Sequence, residues 1–478
     1  MVERTLPKRT TIECSFNGIF AHYMRKAGPS CMEFNMLVSF RVRNFKSFQE
    51  EATLNLTATS ADSTLPDAVT TVEEGSGTNA RLLSATAIYG ANASGKTNFL
   101  LAIDVFRRAI SYSQSVWNSG SGTGLIPSVA SPDEPTLLEA IFIVKGVRYR
   151  YGFIGNREAY LQEWLYSYPV GRERLLFQRS TVHLNGDHKT TAEFKRNLEG
   201  SRRDFDSTLR RTREDSLLLS AMSQDNQQDC QVIYEYFKDA NSLITFKDEA
   251  LDSDYTSRFA STNPVYREMV LGLLSTSDAA ISDIELENIP APVSEPVDEN
   301  HRALNPIFTT KFISNIAGRQ HSLPIDVQSR GVKRIYATAA SVCMSISDGS
   351  LLLVDEIDSS MHPHMVAKLV SIFQNKSTNP NGSQLIFTTH DSHLMNAQHL
   401  RRDQVWFAEK RDGLSELYSL SEFSPRKNEN LESGYLRGKF GAVPATGISL
   451  SLLGLDRKLQ IGAGSKESDS KSNLAVEG

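Results

Sequence analysis

Eight residues constrain this chain more than any others: Gly90-Ala91-Asn92-Ala93-Ser94-Gly95-Lys96-Thr97. The spacing G-x-x-x-x-G-K-[ST] describes a loop whose glycines let it curl, so that successive backbone N–H groups point inward at phosphate oxygens. Lys96 then reaches the β- and γ-phosphates, and the Thr97 hydroxyl takes a coordination place on Mg²⁺. The flanks agree with that reading. Ser84 to Tyr89 is a short apolar run of strand type, and Asn98 to Ile103 continues as an apolar helix whose N-terminal dipole favours anions. Strand, loop and helix in this order predict an α/β fold that binds ATP with Mg²⁺.

Leu351-Leu352-Leu353-Val354-Asp355-Glu356 is the second constraint. Four aliphatic residues suit a central parallel strand buried on both faces. Asp355 emerges at its carboxyl end, where open α/β sheets bind ligands, and is the expected Mg²⁺ partner. Glu356 is placed to polarise the water that attacks the γ-phosphate. On its own such a run is equally a core strand ending in exposed acids; paired with the loop it reads as Walker B.

Lys96 and Asp355 lie about 260 residues apart, which leaves room for an inserted lobe. Such a lobe should close on a signature motif just before Walker B. Gln328-Ser329-Arg330-Gly331-Val332 supplies an S-x-G core followed by a helical stretch. In a head-to-tail dimer Ser329 and Gly331 would contact the γ-phosphate held by the other subunit. Ser-x-Gly alone is also an ordinary helix cap. Ile357 to Pro363 fits a D-loop, and Ser383 to Asp391 reads as a strand ending in His390, the expected switch residue toward the γ-phosphate. His364 and His393 carry no such argument and read as surface or packing residues.

This ordered series resembles the bacterial AAA/ABC-type ATPases of the OLD and RecF/SMC-related group, and most nearly the RloA/AbiL-type and PARIS-type ATPases of anti-phage modules. The carrying residues are Phe40 to Phe48, Gly90 to Thr97, Tyr149 to Phe153, Glu214 to Ser220, Asp355 to Pro363, Thr388 to Asp391 and Tyr435 to Pro444. They span roughly residues 36 to 447. The signature departs from the LSGGQ form of transporters. The resemblance implies an ABC-ATPase head with a mixed β-sheet subdomain and an inserted helical lobe. It further implies ATP-dependent homodimers or larger assemblies, and a sensor or scaffold role controlling a separate effector, of which a TOPRIM-type nuclease is the expected kind. A phage protein or DNA would be the trigger. Two alternatives stay open: a RecF/SMC-like DNA-repair ATPase, and an OLD-like ATP-dependent nuclease. The second needs a further acidic metal-binding domain, and the acids after His390 lack a D-x-D pair.

Composition sets outer bounds. Forty per cent apolar and 22% charged residues describe a globular chain, and a net charge of −5 argues against a globally basic nucleic-acid binder. Cys14, Cys31, Cys230 and Cys343 are scattered, so neither a zinc site nor a disulfide framework is indicated. No run approaches 18 apolar residues, so no membrane span and a cytoplasmic location are expected. The expected organisation is a weakly ordered extension over 1–35, with family-like sequence beginning at Met36. Then come ATPase lobe I with the antiparallel β subdomain over 36–190, a helical lobe over 191–325, the signature-to-switch part over 326–447, and a polar tail over 448–478. Glu139–Val144 and Tyr149–Phe153 read as a hairpin around Lys145-Gly146. Gly120–Gly124 and Pro290–Pro296 read as exposed insertions. Arg202, Arg203, Arg210, Arg211 and Arg213 read either as a solvated helix face or as a partner contact.

Overall fold

The computed structural model describes residues 34–443, apart from 76, 185–186, 240–242, 246–248, 290–306 and 427–428. The chain divides into residues 1–442 and 443–478, and only Val443 of the second part is among those described. The expected N-terminal extension, the Pro290–Pro296 insertion and the polar tail therefore lie almost wholly outside the described residues.

Two sheets sandwich one helix. The first is five-stranded, in the order β14 (Leu351–Val354), β15 (Gln384–Thr388), β5 (Ala85–Tyr89), β16 (Val405–Arg411), β17 (Leu414–Ser419). The pairs from β14 through β16 are parallel, and β17 returns antiparallel as a hairpin. Every residue of β5, β14 and β15 is buried, as continuous apolar runs in a two-sided parallel sheet require. The second sheet is seven-stranded and antiparallel: β10 (Asp187–Phe194), β9 (Arg174–Leu184), β8 (Tyr160–Tyr168), β7 (Val147–Gly155), β6 (Thr136–Val144), β1 (Met36–Arg43), β2 (Ala52–Asn55). The β6–β7 turn falls at Lys145 and Gly146, with φ of 48° and 71°. Two consecutive left-handed residues match the twist of a two-residue hairpin.

Helix α1 (Lys96–Tyr112) fills the space between the sheets. Its Phe99 and Phe106 meet Phe40 of β1 edge-on, at 5.9 and 5.6 Å between ring centroids, and Phe106 stacks on Phe153 of β7 at 5.4 Å. Gln384, a buried amide in β15, ties the sheets directly. Its Oε1 accepts from Leu37 N at 2.6 Å, and its Nε2 donates to the carbonyls of Leu37 and Leu83. A small β3 (Val69–Glu73), β4 (Asn79–Leu83) ribbon covers one flank.

Between the halves of the parallel sheet run α2 (Arg202–Arg211), α3 (Leu218–Gln224), α4 (Gln228–Asp239), α5 (Glu249–Thr262), α6 (Pro264–Ser277) and α7 (Arg330–Asp348). The stretch 191–325, expected to be a helical lobe, is only partly helical. It begins with the end of β10 and closes on a three-stranded antiparallel sheet, β11 (Ile281–Ile289), β12 (Ile307–Ile316), β13 (Arg319–Pro324). Phe312 of that sheet packs edge-on against Tyr336 of α7, whose hydroxyl shares a buried network with Ser257. The Gly120–Gly124 loop is exposed at Gly120, Ser121 and Gly124, as expected, and is tied down within that: Gly120 N donates to Asp215, and Thr123 is fully buried. The arginine cluster divides too. Arg213 donates to the carbonyls of Ser113 and Trp117, holding α1 to the lobe, while Arg202 and Arg211 sit on the surface opposite Asp206 and Asp225. After β14 follow α8 (Pro363–Gln374) and, past β17, α9 (Leu431–Leu436).

Candidate nucleotide site

The loop Gly90–Gly95 leaves the carboxyl end of β5 and enters α1, the arrangement its spacing predicts. Gly90 (φ 157°) has no room for a side chain: a Cβ there would strike the Ala408 carbonyl and come within 2.6 Å of Ser94 Oγ. Ala93 (φ 62°) and Gly95 (φ 110°) take left-handed backbone, so the peptides of the loop alternate and its amides can converge on one point. Lys96 is buried, and its Nζ donates to the carbonyls of Gly90 and Ala91 at 2.8 and 3.0 Å. Burial pushes its ammonium below the usual lysine range, against the pull of Asp355, Glu356 and Asp358.

Across the loop, the end of β14 delivers the carboxylates. Thr97 Oγ1 donates to Asp355 Oδ2 at 2.8 Å, joining residues 258 apart in sequence. The other oxygen, Oδ1, accepts from Thr388 Oγ1 at 2.7 Å, and Thr388 in turn accepts from Glu356 N at 2.7 Å. Thr388 thus holds both the aspartate rotamer and the turn after it. Glu356 itself is exposed and left-handed, at φ 49°. Thr388 stood in the sequence only within the Thr388 to Asp391 run that carries the resemblance, with no role of its own; a buried threonine in a strand is otherwise only a good β-former.

His390 lies two residues beyond β15. Its backbone amide faces both carboxylate oxygens of Asp358, at 3.3 Å, which links the switch to the D-loop. Burial and then the nearby Lys96 charge push its imidazole below the usual histidine range, against the pull of Asp358, Glu356 and Asp355. Ser329 caps α7, its hydroxyl accepting from Val332 N. Gly331 lies against the Ser360 carbonyl of the D-loop. Among the described residues neither Ser329 nor Gly331 has a hydrogen bond to the Gly90–Thr97 loop. His393 pairs with Asp391, and His364 stacks on His362. No group of histidine, cysteine and carboxylate side chains among the described residues is arranged to hold a metal by itself.

The residues suit magnesium and a triphosphate. Ser94 Oγ is buried inside the loop with no protein partner, and the cradle admits no Cβ at Gly90. Thr97 and Asp355 offer hard oxygen ligands side by side. No helix among the described residues is long and apolar enough to cross a membrane.

Comparison with known proteins adds a family. The structures of an SmcHead bound to the C-winged helix domain of ScpA and of the SMC head domain from Thermotoga maritima each share 14% identity with this chain. The first covers 81% of this chain and 99% of its own (TM-score 0.39), the second 80% and 98% (TM-score 0.36). An Smc head domain with a coiled coil and joint derived from Pyrococcus yayanosii shares 12%, covering 82% and 100% (TM-score 0.36). At such scores these structures add nothing to the fold read from the strands themselves. No curated protein matches the chain. The family described as "AAA domain, putative AbiEii toxin, Type IV TA system" matches residues 85–396, which run from the first residue of β5 to beyond His390. The chain belongs to that family of AAA domains, and its described fold is α/β, with the phosphate-binding loop at the carboxyl end of a central parallel strand.

Proposed function

We propose that this chain binds MgATP at Gly90–Thr97, hydrolyses it within a head-to-tail dimer or larger assembly, and uses that cycle to control a separate effector in a bacterial anti-phage system. The observation that carries the ATPase reading is the Thr97–Asp355–Thr388 chain of hydrogen bonds. It joins the loop to the Walker B strand and leaves Glu356 exposed beside the phosphate cradle. Thr97 and Asp355 would hold Mg²⁺, which supplies charge neutralisation at the phosphates. Lys96 binds the β- and γ-phosphates. Glu356 orients water as general base, and His390 offers a ring nitrogen to the γ-phosphate. Ser329 and Gly331 complete the site from a second chain. The defence role and a nuclease effector rest on the resemblance of the motifs alone.

Complementation between two inactive chains tests the composite site. A Ser329→Arg chain keeps an intact loop, and a Lys96→Ala chain keeps an intact signature. Each alone should be nearly inactive, and the mixture should recover one working site. Absence of turnover in verified heterodimers, or full turnover by a verified wild-type monomer, rejects the trans arrangement. Co-purification of a nuclease encoded beside this gene tests the effector.

A further inference from the structure

A loop that turns its amides inward must turn its carbonyls outward, and each needs a partner. Gly90 and Ala91 carbonyls are taken by Lys96 Nζ, and Gly95 O by Phe99 N at the start of α1. Ser94 O is different. Among the described residues no backbone amide reaches it; Ser415 Oγ, from the hairpin strand β17, donates to it at 2.7 Å. Ser415 is buried (4% exposed), and its own backbone amide donates to Ser47 O at 2.7 Å. The hydroxyls of Ser415 and Ser47 lie 2.8 Å apart, and Asn98 Nδ2 of α1 donates to Ser47 Oγ at 2.8 Å. Ser415 Oγ faces both acceptors, so its one hydroxyl hydrogen is shared between Ser47 Oγ and the Ser94 carbonyl. Asn98, Ser47, Ser415 and the Ser94 carbonyl form one connected network around the outside of the loop.

Gly95 is shaped to this network. A Cβ there would collide with Ser415 Oγ, approach Ser415 Cβ at 2.8 Å and meet Ser47 Oγ at 3.0 Å. The two serines come from the loop between β1 and β2 and from the strand that closes the parallel sheet, 368 residues apart. Neither lies in the motif they support.

Resting on the MgATP reading above, we infer that Ser415 and Ser47 are positioning residues for the phosphate loop: they clamp the Ser94 carbonyl outward, and so hold the following amides toward the phosphates. The clamp acts on binding rather than on the water-activating carboxylate, since it touches neither Asp355 nor Glu356. Loss of one such bond should cost affinity about tenfold.

The test uses the full chain and direct binding of MgATP and MgADP by calorimetry, alongside turnover and urea unfolding. Ser415→Ala and Ser47→Ala should each raise Kd for both nucleotides about tenfold, with kcat at saturation within about twofold of wild type. The double variant should fall short of the product of the two effects, because the serines act as one unit. Ser415→Thr, which keeps the hydroxyl, should recover affinity relative to Ser415→Ala. Thr190→Val, which breaks the hydroxyl pair with Thr181 far out on the β9–β10 ladder, serves as a destabilised control and should leave Kd unchanged. Wild-type Kd in both alanine variants overturns the clamp, as does an equal rise in Thr190→Val. If one alanine variant fails to fold, the other decides the matter. Wild-type chain that binds no MgATP overturns the underlying nucleotide reading and the clamp with it.

Discussion

Thr388→Val removes one hydroxyl and almost no volume, and that hydroxyl makes two bonds. Thr388 is fully buried, donates to Asp355 Oδ1 at 2.7 Å and accepts from Glu356 N at 2.7 Å. A hydrogen bond to a charged group is worth about 1.5–3 kcal/mol, and a backbone amide left unmatched costs about 1–3 kcal/mol. The variant should therefore unfold with roughly 3–5 kcal/mol less stability, which a domain of ordinary stability, about 5–15 kcal/mol, survives. Catalysis should suffer separately. Glu356 sits at φ 49°, a conformation that costs a non-glycine residue about 1–3 kcal/mol and holds only where neighbours enforce it. Released from Thr388, the turn can relax. Losing about 2.7 kcal/mol of positioning lowers kcat about a hundredfold. Urea unfolding and steady-state phosphate release measure the two effects, and Thr388→Ser should retain most of both. A valine variant with wild-type stability and wild-type turnover would refute the assignment of Thr388 as the brace of this site.

Lys96→Ala should abolish measurable MgATP binding, since it removes the side-chain cation from the loop; wild-type affinity by calorimetry would displace the site. Glu356→Gln should bind MgATP normally yet slow hydrolysis by two or more orders of magnitude, accumulating an ATP-bound dimer visible by size exclusion. Unchanged turnover would move the base elsewhere. His390 gives a pH signature. Its folded-state pKa lies below 6.5, so its contribution to stability is complete above pH 6.5 and is lost as pH falls through that value, where the unfolded chain takes up a proton that the folded one refuses. Unfolding free energies from pH 7.5 to 5 should show this acid limb in wild type and a shallower one in His390→Gln; identical slopes would exclude the effect. Gly95→Ala should be far more damaging to nucleotide binding than Gly77→Ala, which has a similar left-handed backbone but open space around it.

The parts of the site readable from sequence were those built from contiguous residues. A loop needs its glycines where φ is positive, and a two-sided strand needs an unbroken apolar run, so both leave local marks. The β6–β7 hairpin was legible for the same reason, through Lys145-Gly146. The roles of Ser415, Ser47 and Thr388 leave none, although Ser47 and Thr388 fall inside runs that carry the resemblance: each matters because the fold sets it opposite a distant partner, and a serine or threonine has many ordinary reasons to be there. The sheet β11–β13 was missed for a different cause. Five of the six residues of β13 are exposed, so the strand carries no buried face and no alternation to betray it. Gly120–Gly124 is largely exposed, as its glycines suggest, but what they do not reveal is the close approach at Gly122, where a Cβ would come within 2.5 Å of the Arg157 carbonyl.

The order in which the parallel sheet is assembled has a consequence for how the protein is made. β5 appears early in the chain, but its two flanking strands are β15 and β16, and the serine that braces its loop lies 321 residues beyond Ser94. Synthesis at about 5–20 residues per second leaves the phosphate loop waiting on the order of tens of seconds for its partners. Throughout that interval Ala85–Tyr89 is an apolar strand with both edges unpaired, the kind of segment that seeks other chains. A nascent chain truncated before β17 can carry a complete glycine-rich motif and still have no hydroxyl to close it. On the proposed reading, the tightest nucleotide binding waits until β17 has been made and folded against the loop.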